Sequence, residues 1–403
     1  MTGGMNEYMS WNSLVSYAAS QGMSLEDAWV EGALLSGYVA NAFGSEIARL
    51  AGKGAQAIFI RGAVAVGLNV AKKLESDLGL GKQVSDITKC QDMVMSSVLM
   101  PHRFENVDGG NANTVVFDCP YAALVSIQGD PMACEFCVGY TRGACERVGS
   151  VGFTRVSHIP SGDKECVFEF RKNGEHGLSK YNLVKTIPST GYISTVIPKA
   201  VENIKEKFAN YVASNAKPLL SPPPSSDEER KTRTFTYIVD LRSRILGGLL
   251  MNEAFNASSI IGDAMVHRIS ESAGKMAAGL AMNGFPPFAG GWKKKYAIST
   301  GKTQAQRVAS FYLVSTKHDG KVDDQKVEVE KCIGHEMIKD MMKTPEIYQL
   351  SKFTDPAAAN RAIKAGCKSC DSCLRSLVKT TGTEMEQTSC IADGASTCTW
   401  KFK

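Results

Sequence analysis

Cysteine and histidine, the side chains that zinc prefers, recur in one order in both halves of the chain. Two segments, 157–170 and 389–402, align without a gap, and each follows a Cys-x-x-Cys pair. The eight candidate metal ligands are Cys134, Cys137, His158 and Cys166 in the first half, and Cys367, Cys370, Cys390 and Cys398 in the second. Because His and Cys exchange readily as zinc ligands, the pattern predicts a four-ligand metal site in each half.

Other interpretations of the thiols stay open. They could pack as small hydrophobic side chains, carry out redox chemistry, or bind an iron–sulfur cluster, which also accepts four cysteines. Cys145 and Cys373 lie near the predicted sites and could replace a ligand. Cys90 has no partner in the second half and is expected to be a buried small hydrophobe. Zinc is the more conservative cofactor, with an iron–sulfur cluster as the alternative.

A zinc ion with four protein ligands has no open coordination position, so a catalytic nucleophile would have to lie elsewhere. Cys119 is the best candidate, because it separates a predicted strand from a predicted helix whose dipole can lower a thiol pKa. Cys332 is its counterpart, and His335 follows it on the same helical face. These three are the predicted catalytic residues. The alternative is that both thiols are packed core residues or additional metal ligands.

The elements that must position these residues follow from hydrophobic periodicity. Ser24 to Asp27 has the pattern of a helix N-cap, and residues 58–74, 249–269 and 274–282 are predicted helices. The predicted strands are residues 93–99, 114–117, 308–314 and 326–329, with turns at 108–110 and 319–320 and a closing strand after Cys166 and after Cys398. The predicted fold class is α+β, with two tandem copies of a module whose N-terminal helices pack on a small antiparallel sheet.

A proline-rich stretch divides the chain. Three consecutive prolines, 222–224, favour an extended and solvated path. We therefore expect a first module at 1–216, a linker at 217–233 and a second module at 234–403, which suits a chain of 403 residues.

Charge and hydropathy exclude several classes of protein. The net charge of +5 comes from scattered basic residues, so we expect no nucleic-acid partner. The longest apolar run, 55–66, contains Gln56 and Arg61 and is too short to span a bilayer. With no leader pattern at the start, we expect a cytoplasmic protein that binds no membrane and keeps its twelve cysteines reduced.

The order of motifs around the first predicted site suggests a family. Cys119-Pro120 is followed by Gly-Asp-Pro-x-x-Cys-x-x-Cys at 129–137 and by His-x-x-x-Gly-Asp-x-x-Cys-x-Phe-x-Phe at 158–170. This order resembles the L-2-amino-thiazoline-4-carboxylic acid hydrolase-like proteins. The closing element, a ligand, seven residues and then Cys-x-Phe, also resembles the 4-vinyl reductase domain.

The resemblance implies a structural zinc beside a small-molecule pocket, with His158 and Cys166, or Cys390 and Cys398, as the last two ligands. The family's glutamate ligand is replaced by Arg155 and by Gln387 here, so either a Cys-x-x-Cys completes each site or the sites are not those of the family.

These observations predict a small-molecule-binding, hydrolase-like protein with structural zinc sites. The resemblance implies addition of water to a small cyclic amidine. Two alternatives remain: a non-catalytic ligand-binding or assembly protein, in which duplication builds an internal pseudo-dimer, and an iron–sulfur redox protein. The expected partner is a small-molecule ligand or substrate, and a homo-oligomer is compatible with the sequence.

Overall fold

The computed structural model describes residues 3–52, 54–122, 134–149, 151–177, 204–284, 291–343 and 356–403. These residues form helices and two small antiparallel sheets, which confirms the predicted α+β class. The predicted 129–133 part of the first Cys-x-x-Cys motif lies outside the described residues.

Within the residues that the structure describes, the first half contains helices and one sheet. Its helices are α1 (Gly3–Ser20), α2 (Leu25–Ala51), α3 (Gly54–Leu78), α4 (Val84–Ser97) and α5 (Glu135–Val148), and its strands are β1 (His102–Glu105), β2 (Asn111–Val116), β3 (Val151–Ser157) and β4 (Cys166–Lys172). Residues 204–215 form a further helical stretch before the second half.

The second half contains the remaining helices and the other sheet. The helices are α6 (Lys217–Leu220), α7 (Asp227–Ile261), α8 (Asp263–Asn283), α9 (Gly291–Lys295), α10 (Lys302–Thr316), α11 (Ile333–Met342) and α12 (Pro356–Lys379), and the strands are β5 (His318–Val322), β6 (Lys326–Cys332), β7 (Met385–Ser389) and β8 (Cys398–Phe402).

The two sheets have the same topology. Their strand orders are β1-β2-β4-β3 and β5-β6-β8-β7, and every pairing is antiparallel. In β3 the register shifts after Arg155, which pairs with Phe168. In β7 it shifts after Gln387, which pairs with Trp400. The two sheets therefore share a register shift at the corresponding strand as well as the same strand order.

Local signals placed several elements correctly. The Ser24 side chain accepts a hydrogen bond from the Asp27 N–H, and the Asp27 carboxylate accepts one from the Ser24 N–H, so the predicted cap begins α2. The Asp108 carboxylate accepts hydrogen bonds from the N–H groups of Gly110 and Asn111, each at 2.7 Å, and closes the predicted turn.

Two predicted strands are wrong. Residues 93–99 lie largely in α4 and residues 308–314 lie in α10. Each run is buried throughout, and a short, mostly apolar run does not distinguish a buried helix from a strand. The predicted turn at 319–320 is also wrong: it lies inside β5, where a Cβ on Gly320 would be 2.1 Å from the Glu328 carbonyl oxygen.

The connection between the halves is shorter than the predicted linker. Lys217–Leu220 is a short helix, and Ser226 caps the start of α7 by accepting a hydrogen bond from the Glu229 N–H. The non-helical connection is therefore residues 221–226. The long second-half helix breaks at Gly262, whose φ of +82° favours glycine, rather than between residues 269 and 274.

Helices of the first half pack against elements of the second. α2 contacts α7 and α8, α3 contacts α7, and α1 contacts α10 and β5. Polar side chains also cross between the halves: the Tyr237 hydroxyl lies 2.6 Å from the Asp77 carboxylate, and the Trp292 indole N–H donates to Glu31 at 2.9 Å. The halves share one hydrophobic core.

One of the described helices, α3, is long and apolar enough to cross a membrane. Of its most apolar stretch, 67% is buried inside the structure. The core helix of a globular protein passes the same test of length and apolarity and is buried in the same way.

Candidate thiol and small-molecule sites

The first-half cysteines and His158 meet at the wall of one cavity. Cys119 follows β2, and Cys134 and Cys137 lie at the N-cap and in the first turn of α5. His158 follows β3, and Cys166 begins β4. All five residues line the cavity. The structure thus brings together the four predicted metal ligands of this half and the predicted nucleophile.

The second half has a matching group of thiols. Cys332 ends β6, Cys367 and Cys370 lie on α12, Cys390 follows β7, and Cys398 begins β8. The Cys390 sulfur lies 3.7 Å from the Cys398 sulfur and also accepts a hydrogen bond from Cys367. Two thiolates on one tetrahedral zinc would be about 3.8 Å apart for a Zn–S distance of about 2.3 Å. Across the described ranges, however, no set of three or more Cys, His, Asp or Glu side chains has the full arrangement of a metal site.

The turn before each closing strand is built alike in both halves. The Ile159 N–H donates to the Cys166 sulfur at 3.2 Å, and the Ile391 N–H donates to the Cys398 sulfur at the same distance. Each turn ends at a glycine with a left-handed backbone, Gly162 or Gly394. Backbone N–H groups directed at sulfur stabilise a thiolate and orient it as a ligand.

Cys119 and Cys332 have matching surroundings as well. The Cys119 sulfur accepts hydrogen bonds from the backbone N–H groups of Tyr121 and Ala122, and the Cys332 sulfur accepts them from Gly334 and His335. His335 therefore contacts Cys332 through its backbone. Burial lowers the pKa of the His335 imidazole below its ordinary value.

Burial controls the electrostatics of the first cluster. It raises the pKa of Cys119, that of Cys137 to about 12 and that of Cys166 to about 11, and nearby Arg155 opposes the shift at Cys137 and Cys166. Burial and Arg155 together lower the pKa of His158 to about 3, so its ring is neutral at pH 7, as a metal ligand requires.

A buried ion pair distinguishes the first cluster from the second. Arg155 and Glu135 are both fully buried and paired, and Arg155 also donates to the Cys134 carbonyl oxygen at 3.4 Å. Arg155 pairs with Phe168 where the β3 register shifts, and its counterpart at the β7 register shift is Gln387, which has no charge.

The remaining thiols lie away from the cavities. Cys90, Cys145 and Cys373 are buried in helices α4, α5 and α12. Burial raises the pKa of all three, that of Cys90 to about 12. Cys90 behaves as the small hydrophobe predicted for it.

The first cavity lies between the sheet, α4 and helices of both halves. It holds about 100 Å³, and α7 of the second half supplies Ile245, Leu246 and Leu249 to an otherwise mostly apolar wall. Asn41 also lines it and is only 4% exposed. Neither side-chain atom of Asn41 has a hydrogen-bond partner among the residues the structure describes.

The second cavity occupies the position in the second half that corresponds to that of the first cavity in the first half. It holds about 80 Å³, and here α2 of the first half supplies Leu35, Ser36 and Val39. Its wall also contains Tyr312, Thr316 and His318, three polar residues that the sequence did not single out. Tyr312 falls in the predicted strand 308–314, and Thr316 and His318 fall outside every predicted element, so nothing in the local pattern indicated a contact with Cys370.

Comparison of the chain with known protein families, with curated proteins and with solved structures finds no match in any of the three. The geometry of the sites is therefore the basis for a function.

Proposed function

We propose that the protein binds small molecules and that the thiol clusters hold structural zinc ions beside its two cavities. The Asn41 amide carries the binding proposal. An unpaired buried amide costs about 1–3 kcal/mol, so a molecule that pairs with it gains both hydrogen bonds and apolar contact. The complementary ligand is a small molecule with an apolar body and one donor–acceptor edge, such as a cyclic amide or amidine.

Tandem duplication of one module accounts for the paired sites. It is supported by the equal strand orders, the matching register shifts in β3 and β7, and the equal 3.2 Å N–H to sulfur distances at Cys166 and Cys398. Each cavity is completed by a helix of the other copy, which is the arrangement of an internal pseudo-dimer.

The proposed zinc ligands differ in part from those expected from the spacing alone. In the second copy they are Cys332, Cys367, Cys390 and Cys398, because Cys390 contacts both Cys367 and Cys398 and the thiols of Cys332 and Cys390 are neighbours. The corresponding residues of the first copy are Cys119, Cys134, His158 and Cys166. Bound zinc would link the helix carrying the Cys-x-x-Cys to the sheet and its turn.

This assignment favours binding over hydrolysis. Cys119 and Cys332 were predicted as nucleophiles, with additional ligands as the alternative. Burial raises the pKa of both thiols, and their backbone N–H partners suit metal-bound thiolates.

Replacing Asn41 tests the binding proposal. Asn41→Leu keeps the side-chain size and removes the unpaired amide, so we expect the free energy of unfolding to rise by about 1–3 kcal/mol and binding of 2-pyrrolidinone to be lost. Urea unfolding and isothermal titration calorimetry measure the two effects. In Asn256→Leu, the matched control, the hydrogen bond to the Asn252 carbonyl oxygen at 2.7 Å is lost, so stability should fall while binding persists. Unchanged binding in Asn41→Leu would refute the proposal.

Metal analysis tests the zinc assignment. Protein purified from zinc-supplemented cells should contain two zinc ions per chain by plasma mass spectrometry. Cys166→Ser and Cys398→Ser should each remove one, whereas the buried control Cys373→Ser should keep both. A metal-free wild type, or a brown iron-containing one, contradicts the assignment.

A further inference from the structure

We propose that Cys370, His318 and Thr316 form a reactive thiol site that adds to small uncharged electrophiles in the second cavity. The inference goes beyond the proposed function, because it requires neither the zinc ions nor the Asn41 cavity. It concerns a different activity at residues that the metal assignment leaves unused.

Hydrogen bonding determines which nitrogen of His318 faces the thiol. The Thr316 hydroxyl donates its only proton to the Tyr312 carbonyl oxygen at 2.7 Å. With that proton assigned to the Tyr312 carbonyl, Nδ1–H is the donor in the 2.6 Å contact between His318 Nδ1 and Thr316 Oγ1. In the neutral ring, Nε2 then carries the lone pair, and it lies 3.8 Å from the Cys370 sulfur.

The arrangement is that of a nucleophile, a base and a group that orients the base. A nucleophile-to-base distance is often long without substrate and shortens when substrate binds. The Tyr312 hydroxyl lies 3.1 Å from the Cys370 sulfur and can donate to it, which stabilises negative charge there.

The same cavity offers groups that can hold a polar substrate atom. Ser243 and Ser369 line it and are 3% and 1% exposed. Neither hydroxyl oxygen has a hydrogen-bond partner within the described part of the chain. A carbonyl oxygen of the substrate would satisfy one of these buried donors.

The first cavity provides an internal comparison. At the same spacing along α4 and the following segment, it is lined by Val94, Val98 and Met100 instead of Tyr312, Thr316 and His318. The residue before its second cysteine is Phe136 rather than Ser369. Cys137 therefore has no imidazole at the position that His318 occupies beside Cys370. Of the two cavities, only the second has the set Tyr312, Thr316 and His318.

Cys370 also differs from Cys367, its partner in the Cys-x-x-Cys. Both lie on α12, but Cys367 bonds to Cys390, whereas Cys370 contacts Tyr312 and His318. Residues three apart lie on the same side of a helix. The different contacts of the two thiols therefore come from the elements packed against α12, with Cys390 beside Cys367 and with Tyr312 and His318 beside Cys370.

The expected reaction is addition of the thiol across an activated carbon–carbon double bond. The Cys370 proton moves to His318 Nε2, and a sulfur electron pair forms the bond to the β-carbon. The π pair moves toward the carbonyl, and the α-carbon then takes the proton back from Nε2. No leaving group or co-reactant is needed. A cavity of about 80 Å³ admits only a compact substrate, so the class is a small α,β-unsaturated amide or carbonyl compound.

Acrylamide is the probe, used with the full chain as purified. Peptide mass spectrometry measures the rate of adduct formation at each cysteine. We expect Cys370 to react at least tenfold faster than Cys137, and His318→Met, which copies the first cavity, to slow Cys370 by at least tenfold, since a general base contributes about 10²–10⁴. His102→Met is the control, because the His102 imidazole bonds to Asp92 and to the Met100 carbonyl oxygen, away from the second cavity. If His318→Met does not fold, Tyr312→Phe, which keeps the ring, should slow the reaction for lack of its hydroxyl.

Three results would overturn the proposal. Cys370 reacting no faster than Cys137 is one, and an unchanged rate in the folded variants is another. The third is loss of one zinc ion per chain in His318→Met, which would make Cys370 and His318 metal ligands. None of these alters 2-pyrrolidinone binding at Asn41, so failure here is distinguishable from failure of the proposed function.

Discussion

Glu253 places a carboxyl group inside the helical core. It is fully buried on α7, and neither carboxyl oxygen has a hydrogen-bond partner in the regions described. Burial raises the pKa of Glu253 well above its ordinary value, so the folded protein holds a proton that the unfolded chain releases above about pH 4.5.

Stability should therefore fall as pH rises above about 4.5, by up to about 1.4 kcal/mol per pH unit, until the folded-state pKa is reached. Glu253→Gln has no titrating carboxyl, so this part of the pH dependence should disappear. Urea unfolding at pH 5 and pH 7 measures the difference. Glu271→Gln is the control, since Glu271 pairs with Lys275 at the surface. An equal pH dependence in wild type and Glu253→Gln would show that Glu253 does not titrate as its burial indicates.

At the scale of elements, close helix packing positions the first thiol cluster. α5, which begins beside Cys134, contacts α3 through glycines. A Cβ on Gly143 would be 2.1 Å from the Val64 carbonyl oxygen, and one on Gly139 would be 2.4 Å from that of Ile60. Backbone atoms cannot move aside as a flexible side chain can, so the helices would have to separate.

Gly143→Ala should consequently destabilise the protein by roughly 1–3 kcal/mol or more, the usual cost of overpacking. Gly279→Ala on α8 is the matched control: Gly279 is exposed, and its Cβ would meet no atom within 4 Å. We expect the control to gain up to about 1 kcal/mol from helix propensity. Chemical unfolding compares the two, and equal changes would mean that the α3–α5 contact is loose.

At the scale of the whole molecule, the halves complete each other. α2 and α7 pack together, and each lines the cavity of the opposite half. A fragment of residues 1–216 or 217–403 would expose the apolar face that the other covers.

We expect neither fragment to unfold cooperatively by itself, and a chain cleaved within residues 221–226 to remain one particle. Size-exclusion chromatography and circular dichroism measure both. Elution of the cleaved halves as two separate, fully helical monomers would contradict this prediction and support independent modules at 1–216 and 234–403.

Short-range patterns in the sequence determined the α+β class, the Ser24 cap, the Asp108 turn and the two closing strands. Each depends on residues within a few positions of one another, and backbone hydrogen bonding makes such patterns specific. The same reasoning predicted strands at 93–99 and 308–314, because these short runs are the buried parts of α4 and α10 and a buried run of this length does not reveal a helical period.

Only the tertiary structure decided what each thiol faces. The ligand spacing grouped Cys367 with Cys370, but the elements packed against α12 place Cys390 beside one and His318 beside the other. Asn41 and His318 gained their importance from cavities whose walls come from distant parts of the chain. Side-chain type and spacing specify which groups can do chemistry; the packing of helices from both halves specifies which of them meet.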